Sequence, residues 1–193
     1  MQIELKYINH LTMKSNRFQR SKNNQVNHKK QIAVSIMAAI LLVLLYGVIF
    51  SFSEQDGKES GNLSQMVSEK CVELLETIAR RDWTQNFKQE LTEYFEHPIR
   101  KLAHFCEYAC MGFLVYELLV QWIPQGRRLY LLTVGWVFVS AAADELHQRF
   151  VPGRYGCFAD VILDTCGGIF GMWVLMVCFK LLKAHKRKTK KRT

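Results

Sequence analysis

Four apolar stretches, separated by strongly charged segments, divide the chain. Residues 32–50 contain no charged side chain, and a helix of about 20 such residues crosses a hydrocarbon core of about 30 Å. Residues 129–143 reach that length only together with residues 144–146. Residues 158–179 are long enough although they contain two aspartates, and residues 99–122 are interrupted by five ionisable groups. The pattern predicts four membrane-spanning helices.

The first apolar stretch is expected to remain in the chain rather than to be cleaved as a signal peptide. It is longer than the apolar core of a signal peptide, follows a long polar lead and has no convincing small-x-small cleavage site. We expect the lead, residues 1–30, to be loosely ordered. Met13 is an alternative translation start within it.

Basic residues predict the orientation, because Lys and Arg beside spans accumulate on the cytoplasmic side. The first 30 residues hold seven Lys or Arg and one acid, and the tail from Lys180 holds eight and no acid. Residues 51–97 instead hold ten acids and five bases. Both termini are therefore expected in the cytoplasm and residues 51–97 outside the cell membrane. The net charge of +9 then reports topology, and a basic tail beside a membrane helix suits anionic lipids better than nucleic acid.

The predicted fold class is all-α: an integral membrane four-helix bundle with an extracytoplasmic loop of amphipathic helices. Apolar residues at helical spacing predict one such helix from Leu63 to Ile78 and a second from Trp83 to Phe95. Pro98 is expected to open the second span. The expected divisions are a basic cytoplasmic segment (1–30), the first span (31–51), the outer loop (52–97), a core with the other three spans (98–183) and a basic cytoplasmic tail (184–193).

This topology places charged side chains from distant parts of the sequence at one level, near the outer face. Ionisable groups inside a membrane cost several kcal/mol unless they are paired or hydrated, so they commonly mark a working site or a polar lock. Gly167 and Gly171 follow on the fourth span and would allow a close helix approach. The predicted site residues are Arg100, Lys101, His104, Glu107, Asp144, Glu145, His147, Gln148, Arg154, Asp160 and Asp164.

Two segments resemble the signatures of the VanZ-like membrane proteins. RKLAHFCEY (residues 100–108) resembles the second-helix signature, and DELHQRFVPGR (residues 144–154), followed by Asp160, Asp164 and Gly167, resembles the other. The resemblance covers about residues 98–175. It implies a small helical membrane domain, usually of four spans, with a role in the cell envelope and in tolerance of the glycopeptide antibiotic teicoplanin. It implies no settled reaction, and the family often has Asn where this chain has Asp164.

Several roles remain open for these residues. Binding of an envelope lipid or a lipid-linked cell-wall precursor is the favoured one, and a structural lock of ion pairs is another. The alternative is a membrane-embedded hydrolase or transferase, metal-dependent or not. The enzyme would use His104, Glu107, Asp144, His147 and Asp160 for catalysis, and Arg100, Lys101, Glu145, Gln148, Arg154 and Asp164 for binding.

A metal ion is conceivable at the same residues, but no short motif predicts one. Two histidines and a carboxylate would suit zinc or another divalent cation. The six cysteines contain no CxxC pair and no spacing typical of a disulfide framework. A channel or transporter is disfavoured because the intramembrane acids other than Glu117 are expected on one side only, with no evident inverted repeat.

Overall fold

The computed structural model describes residues 2–54, 57–152 and 156–189, with no side-chain description for residues 2–24, 54–63, 183, 186 and 187. This part of the chain is helical, without strands, which confirms the all-α prediction. The five helices are α1 (Gln2–Glu54), α2 (Gly57–Ala79), α3 (Gln85–Val120), α4 (Arg127–Gln148) and α5 (Phe158–Thr189).

Four of these helices are long and apolar enough to cross a membrane, as predicted. The candidate spans are Gln25–Ser53 within α1, the whole of α3 and α4, and Phe158–Leu182 within α5. The prediction of a loosely ordered lead differs from the structure, because α1 already begins at Gln2. Residues 2–46 contain neither Gly nor Pro, so nothing in the basic lead interrupts a helix that the apolar span continues.

Pro98 lies inside α3 and does not open a helix, which corrects the expected boundary. The second amphipathic segment of the loop and the second span are therefore one continuous helix. Thr84 caps its N-terminus by accepting a hydrogen bond from the Phe87 N–H. Pro98 has no N–H and therefore removes one helical hydrogen bond. The residues on either side favour the helical conformation, and the helix continues past Pro98.

The α2–α3 hairpin is held together mainly by one carboxylate of α2. Glu76 forms an ion pair with Lys88 of α3 at 2.6 Å and accepts a hydrogen bond from the Trp83 N–H at 2.9 Å. The helix α2 ends at Ala79, and Arg80 adopts a left-handed backbone conformation (φ 51°) that turns the chain towards α3.

Glycines bring α3 and α5 to backbone contact. A Cβ atom added to Gly112 would lie 2.0 Å from the Gly168 carbonyl oxygen, and one added to Gly171 would lie 1.8 Å from the Ala109 carbonyl oxygen. A Cβ on Gly167 would meet the carbonyl oxygen of Phe105 at 2.4 Å. We call Gly112, Gly167, Gly168 and Gly171 the glycine seam. It confirms the close approach predicted from Gly167 and Gly171.

Polar contacts attach α1 to α3 and α4. Tyr46 and Ser140 share a hydrogen bond of 2.6 Å, and the Trp136 indole N–H donates to the Tyr46 hydroxyl at 2.9 Å. Nearer the start of the span, the Trp122 indole donates to Ser35 at 2.9 Å. Hydrogen bonds of this kind join helices within a bilayer, where burial of apolar surface provides little driving force.

Candidate functional site

Three helices bring polar side chains together at the end of the bundle where α4 leads into α5. Each helix contributes residues three or four positions apart, which lie on the same helical face. The charged or amide side chains contributed by α3, α4 and α5 form what we call the polar cluster: Lys101, His104, Glu107, Asp144, Glu145, Gln148, Asp160 and Asp164. The convergence expected from alternating membrane passages is present for these eight residues.

Two pairs of side chains form the rim of the polar cluster. Lys101 Nζ lies 2.5 Å from Asp160 Oδ1, which joins α3 to α5. His104 Nδ1 lies 3.7 Å from Glu107 Oε2, and each of these two side chains is 18% exposed. The rim is therefore accessible from outside the bundle, in contrast to the interior described next.

Carboxyl groups dominate the interior of the polar cluster. Asp164 is 1% exposed and Asp144 is 3% exposed. Asp164 lies within electrostatic range of Glu145, Asp144, Asp160 and Glu107. Four carboxyl groups from three helices thus surround a fifth, an arrangement that costs free energy unless protons or cations compensate the charges.

Hydrogen bonds satisfy only part of this interior. Gln148 Nε2 donates to Asp144 Oδ2 at 3.1 Å, and the Cys157 N–H donates to Glu145 Oε2 at 2.8 Å. Among the described residues, both oxygens of Asp164 and the Oδ1 atom of Asp144 have no hydrogen-bond partner. Three buried carboxyl oxygens are therefore available to a group that donates hydrogen bonds.

Two predicted site residues, Arg100 and His147, do not join the polar cluster. Arg100 donates to Glu96, one turn earlier on α3. His147 is exposed, and its ring lies edge-on against Phe50 of α1 at a centroid distance of 6.2 Å. At 3.6 residues per turn, His147 lies about 100° from the centre of the α4 face that Asp144, Glu145 and Gln148 share. Arg154 lies outside the described residues.

Sequence reasoning missed two contributors. Tyr108 is not among the predicted site residues, yet it is fully buried and lies within electrostatic range of Asp144, Asp164 and Glu107. Its position next to Glu107 could have identified it. The backbone N–H of Cys157 was missed as well, and no sequence signal predicts that a turn aims a backbone donor at Glu145.

The predicted metal ligands do not assemble. Among the described residues, no three His, Cys, Asp or Glu side chains are placed to hold one metal ion. His104 lies at the rim, whereas His147 lies against α1. The geometry therefore gives no support to a site with two imidazole ligands.

Four helices of spanning length with a buried polar cluster at one end define a multi-pass helical membrane protein. The chain belongs to the VanZ/LLP1 family, whose profile matches residues 38–180. This confirms the resemblance predicted from the two segments and extends it to the first span and the α2–α3 hairpin. No curated protein and no solved structure matches the chain.

Proposed function

We propose that the chain binds an amphiphilic envelope molecule, an outer-leaflet lipid or a lipid-linked cell-wall precursor, with its headgroup in the polar cluster. This proposal rests on the carboxyl groups that are buried on α4 and α5, Asp144, Glu145 and Asp164, three of whose oxygens have no hydrogen-bond partner among the described residues. Unsatisfied buried polar atoms are rare in folded proteins and are commonly completed by water, ions or ligands. The excess of basic residues at both ends of the chain supports an outer position for the polar cluster.

An apolar groove supports a lipid rather than a water-soluble ligand. It has a volume of about 480 Å³ and lies between α1, α3 and α5, with Leu45, Phe113 and Phe170 among its walls. Gly171 of this groove lies seven residues beyond Asp164 on α5, which is about 10 Å deeper at 1.5 Å per residue. A molecule with its headgroup in the polar cluster would therefore have room for a hydrocarbon chain directly below.

Lipid binding can be measured by native mass spectrometry of the purified protein. We expect bound lipid on the wild type, loss of that lipid in Glu107→Gln and Asp160→Asn, and retention in Glu117→Gln, a carboxyl of α3 far from the polar cluster. Leu114→Trp fills the groove and is expected to lower occupancy, whereas Leu131→Trp, on an exposed face of α4, is its control. Lipid occupancy equal to that of the wild type in Glu107→Gln, Asp160→Asn and Leu114→Trp would contradict the proposal.

A role in glycopeptide tolerance follows if the bound molecule is a cell-wall precursor or controls access to one. Expression of the chain in a teicoplanin-sensitive host is then expected to raise the inhibitory concentration severalfold. Asp160→Asn is expected to abolish the increase, and Glu117→Gln is expected to keep it. An unchanged inhibitory concentration on expression of the wild type would contradict this part of the proposal.

The enzymatic alternative is favoured by one observation at the rim. The side chains of His104 and Glu107 are each 18% exposed and place an imidazole nitrogen 3.7 Å from a carboxylate oxygen, and a carboxylate that closes to hydrogen-bond distance can orient a general base. Lipid extraction from cells with and without the chain tests this alternative. A changed headgroup that disappears in a well-folded His104→Gln variant supports catalysis, and an unchanged lipid profile supports binding alone.

A further inference from the structure

The charge balance of the polar cluster indicates which headgroup it accepts. Arg100 and Lys101 are predicted binding residues whose charge would suit an anionic group, but both already have carboxylate partners. Arg100 donates to Glu96, and Lys101 is held by Asp160 at 2.5 Å. Their positive charges are therefore largely neutralised within the protein, which weakens any attraction for a phosphate.

In the interior of the polar cluster, by contrast, some carboxyl oxygens lack hydrogen-bond partners within the part of the chain that the structure describes. Asp164, 1% exposed, has no hydrogen-bond partner for either oxygen among the described residues, and Asp144, 3% exposed, has none for Oδ1. Gln148 supplies a neutral amide to Asp144 and no positive charge. A buried carboxylate is strongly disfavoured unless a proton or a cation compensates its charge, and a ligand that brings positive charge supplies such compensation.

We infer that the polar cluster recognises a primary ammonium group, placed between Asp164 and Asp144. This inference rests on the proposed function and names the chemistry of its ligand. A primary ammonium carries three N–H donors, and the three unsatisfied oxygens of Asp164 and Asp144 provide three acceptors. A quaternary ammonium has the charge but no donor, so it would leave all three oxygens unsatisfied.

Partly exposed acidic side chains at the rim would be the first groups that such a ligand meets. Glu107 and His104 are each 18% exposed, and the Asp160 side chain is 27% exposed. Glu107 and Asp160 lie within electrostatic range of Asp164, so an incoming cation meets acidic groups from the surface inward. The ammonium can come from a phospholipid headgroup or from a free amino group of a cell-wall precursor, since both present the same three donors.

The test compares headgroups that differ in the ammonium group alone. Purified protein in nanodiscs is titrated with phosphatidylethanolamine, phosphatidylcholine and phosphatidylglycerol of identical acyl chains, and bound lipid is counted by native mass spectrometry. We expect phosphatidylethanolamine to bind about tenfold more tightly than phosphatidylcholine, because charge-assisted hydrogen bonds are lost on methylation. Asp164→Asn and Asp144→Asn are expected to remove this preference, whereas Glu117→Gln is expected to keep it.

A second arm identifies the source of the amine. A stem pentapeptide with a blocked N-terminus and a free lysine amino group competes with phosphatidylethanolamine if the ligand is a precursor, and the same peptide acetylated on lysine does not. Failure of both peptides to compete, with the ethanolamine preference intact, assigns the ammonium to a phospholipid. Either result supports recognition of a primary amine.

Other outcomes separate this inference from the proposal on which it rests. Equal binding of ethanolamine and choline lipids, lost in Glu107→Gln and Asp160→Asn, overturns the ammonium assignment and leaves lipid binding intact. Displacement of the ethanolamine lipid by sodium chloride at constant ionic strength, but not by choline chloride, assigns the acidic interior to an inorganic cation and also overturns it. Absence of lipid from wild type and variants alike overturns both.

Discussion

The glycine seam shows how single residues set the spacing of the bundle. Gly112 and Gly171 lie so close to the opposite backbone that a methyl group would come within 2.0 Å and 1.8 Å of a carbonyl oxygen. These approaches are far shorter than van der Waals contact, so any side chain there forces α3 and α5 apart. Separation of these helices would also move Lys101 away from Asp160.

Replacement of a seam glycine is expected to destabilise the protein. Gly112→Ala and Gly171→Ala should each lower the free energy of unfolding by about 1–3 kcal/mol, as overpacked cores do. Gly135→Ala is the matched control, because nothing lies within 4 Å of a Cβ atom at that position. Thermal unfolding in detergent, followed by tryptophan fluorescence, measures the difference. Equal midpoints for the seam variants and the control would contradict the close approach.

Single residues also show which features of the polar cluster could be predicted from the sequence. Alternating passages through the bilayer place the acids of α3, α4 and α5 at one level, and the structure contains this convergence. The direction of each side chain was harder to predict. Asp144 and His147 are three residues apart, yet only Asp144 faces the bundle, because the rotation of α4 is set by packing against α3 and α5. The spacing of residues along α4 alone does not show which face of the helix packs against α3 and α5.

At the scale of elements, the continuity of α3 connects the α2–α3 hairpin to the polar cluster. The sequence predicted that a helix begins at Pro98, because proline is disfavoured in the interior of a helix. The structure keeps one helix from Gln85 to Val120, because tertiary contacts on both sides of Pro98 outweigh one missing hydrogen bond. The position of the hairpin is consequently tied to that of Lys101 and Glu107 on the same helix.

The hairpin is expected to loosen in acid. The hydrogen bond from Lys88, followed by that from the Trp83 N–H, holds the pKa of Glu76 below its ordinary value of 4.5. A carboxyl group with a lowered pKa stabilises the folded form fully above the unfolded pKa, and this contribution disappears as the pH falls through the lowered value. The α2–α3 pairing should therefore weaken below about pH 4.5.

Spin-label distances between the exposed positions Leu74 and Tyr94 measure this pairing. We expect the distance distribution of the wild type to broaden as the pH falls from 7 to 3.5. Glu76→Gln should be broad throughout that range, and Glu90→Gln, a change at an exposed site on α3, should follow the wild type. A distribution that does not depend on pH in the wild type would show that Glu76 does not hold the hairpin.

At the scale of the whole molecule, four spans and their flanking charges determine where the polar cluster lies. The four spans were predictable because each apolar stretch is long, and the family match, over residues 38–180, covers the second and third spans completely and the first and fourth in part. The orientation depends on the distribution of Lys and Arg alone. The α2–α3 hairpin and the turn from α4 to α5 lie at the same end of the bundle. One measurement of the side of the membrane on which this end lies therefore determines the location of both.

Cysteine labelling tests the orientation directly. In a background without the six native cysteines, Glu73→Cys on α2 is expected to react with a membrane-impermeant maleimide in intact cells. Arg127→Cys, at the start of α4, should react only after the cells are permeabilised, because the loop between α3 and α4 is expected in the cytoplasm. The opposite labelling pattern would place the polar cluster at the cytoplasmic face.

The pairing of α3 with α5 constrains how the protein is made. The two helices meet along the glycine seam, but α4 separates them in the chain. During synthesis, Lys101 therefore enters the bilayer well before ribosomes have translated Asp160, its partner. Lys101 therefore has no Asp160 partner until the last helix leaves the translocon. Until then its ammonium group remains solvated near the lipid surface. The polar cluster is consequently complete only once α5 is in place, and a nascent chain that stalls before α5 cannot form it.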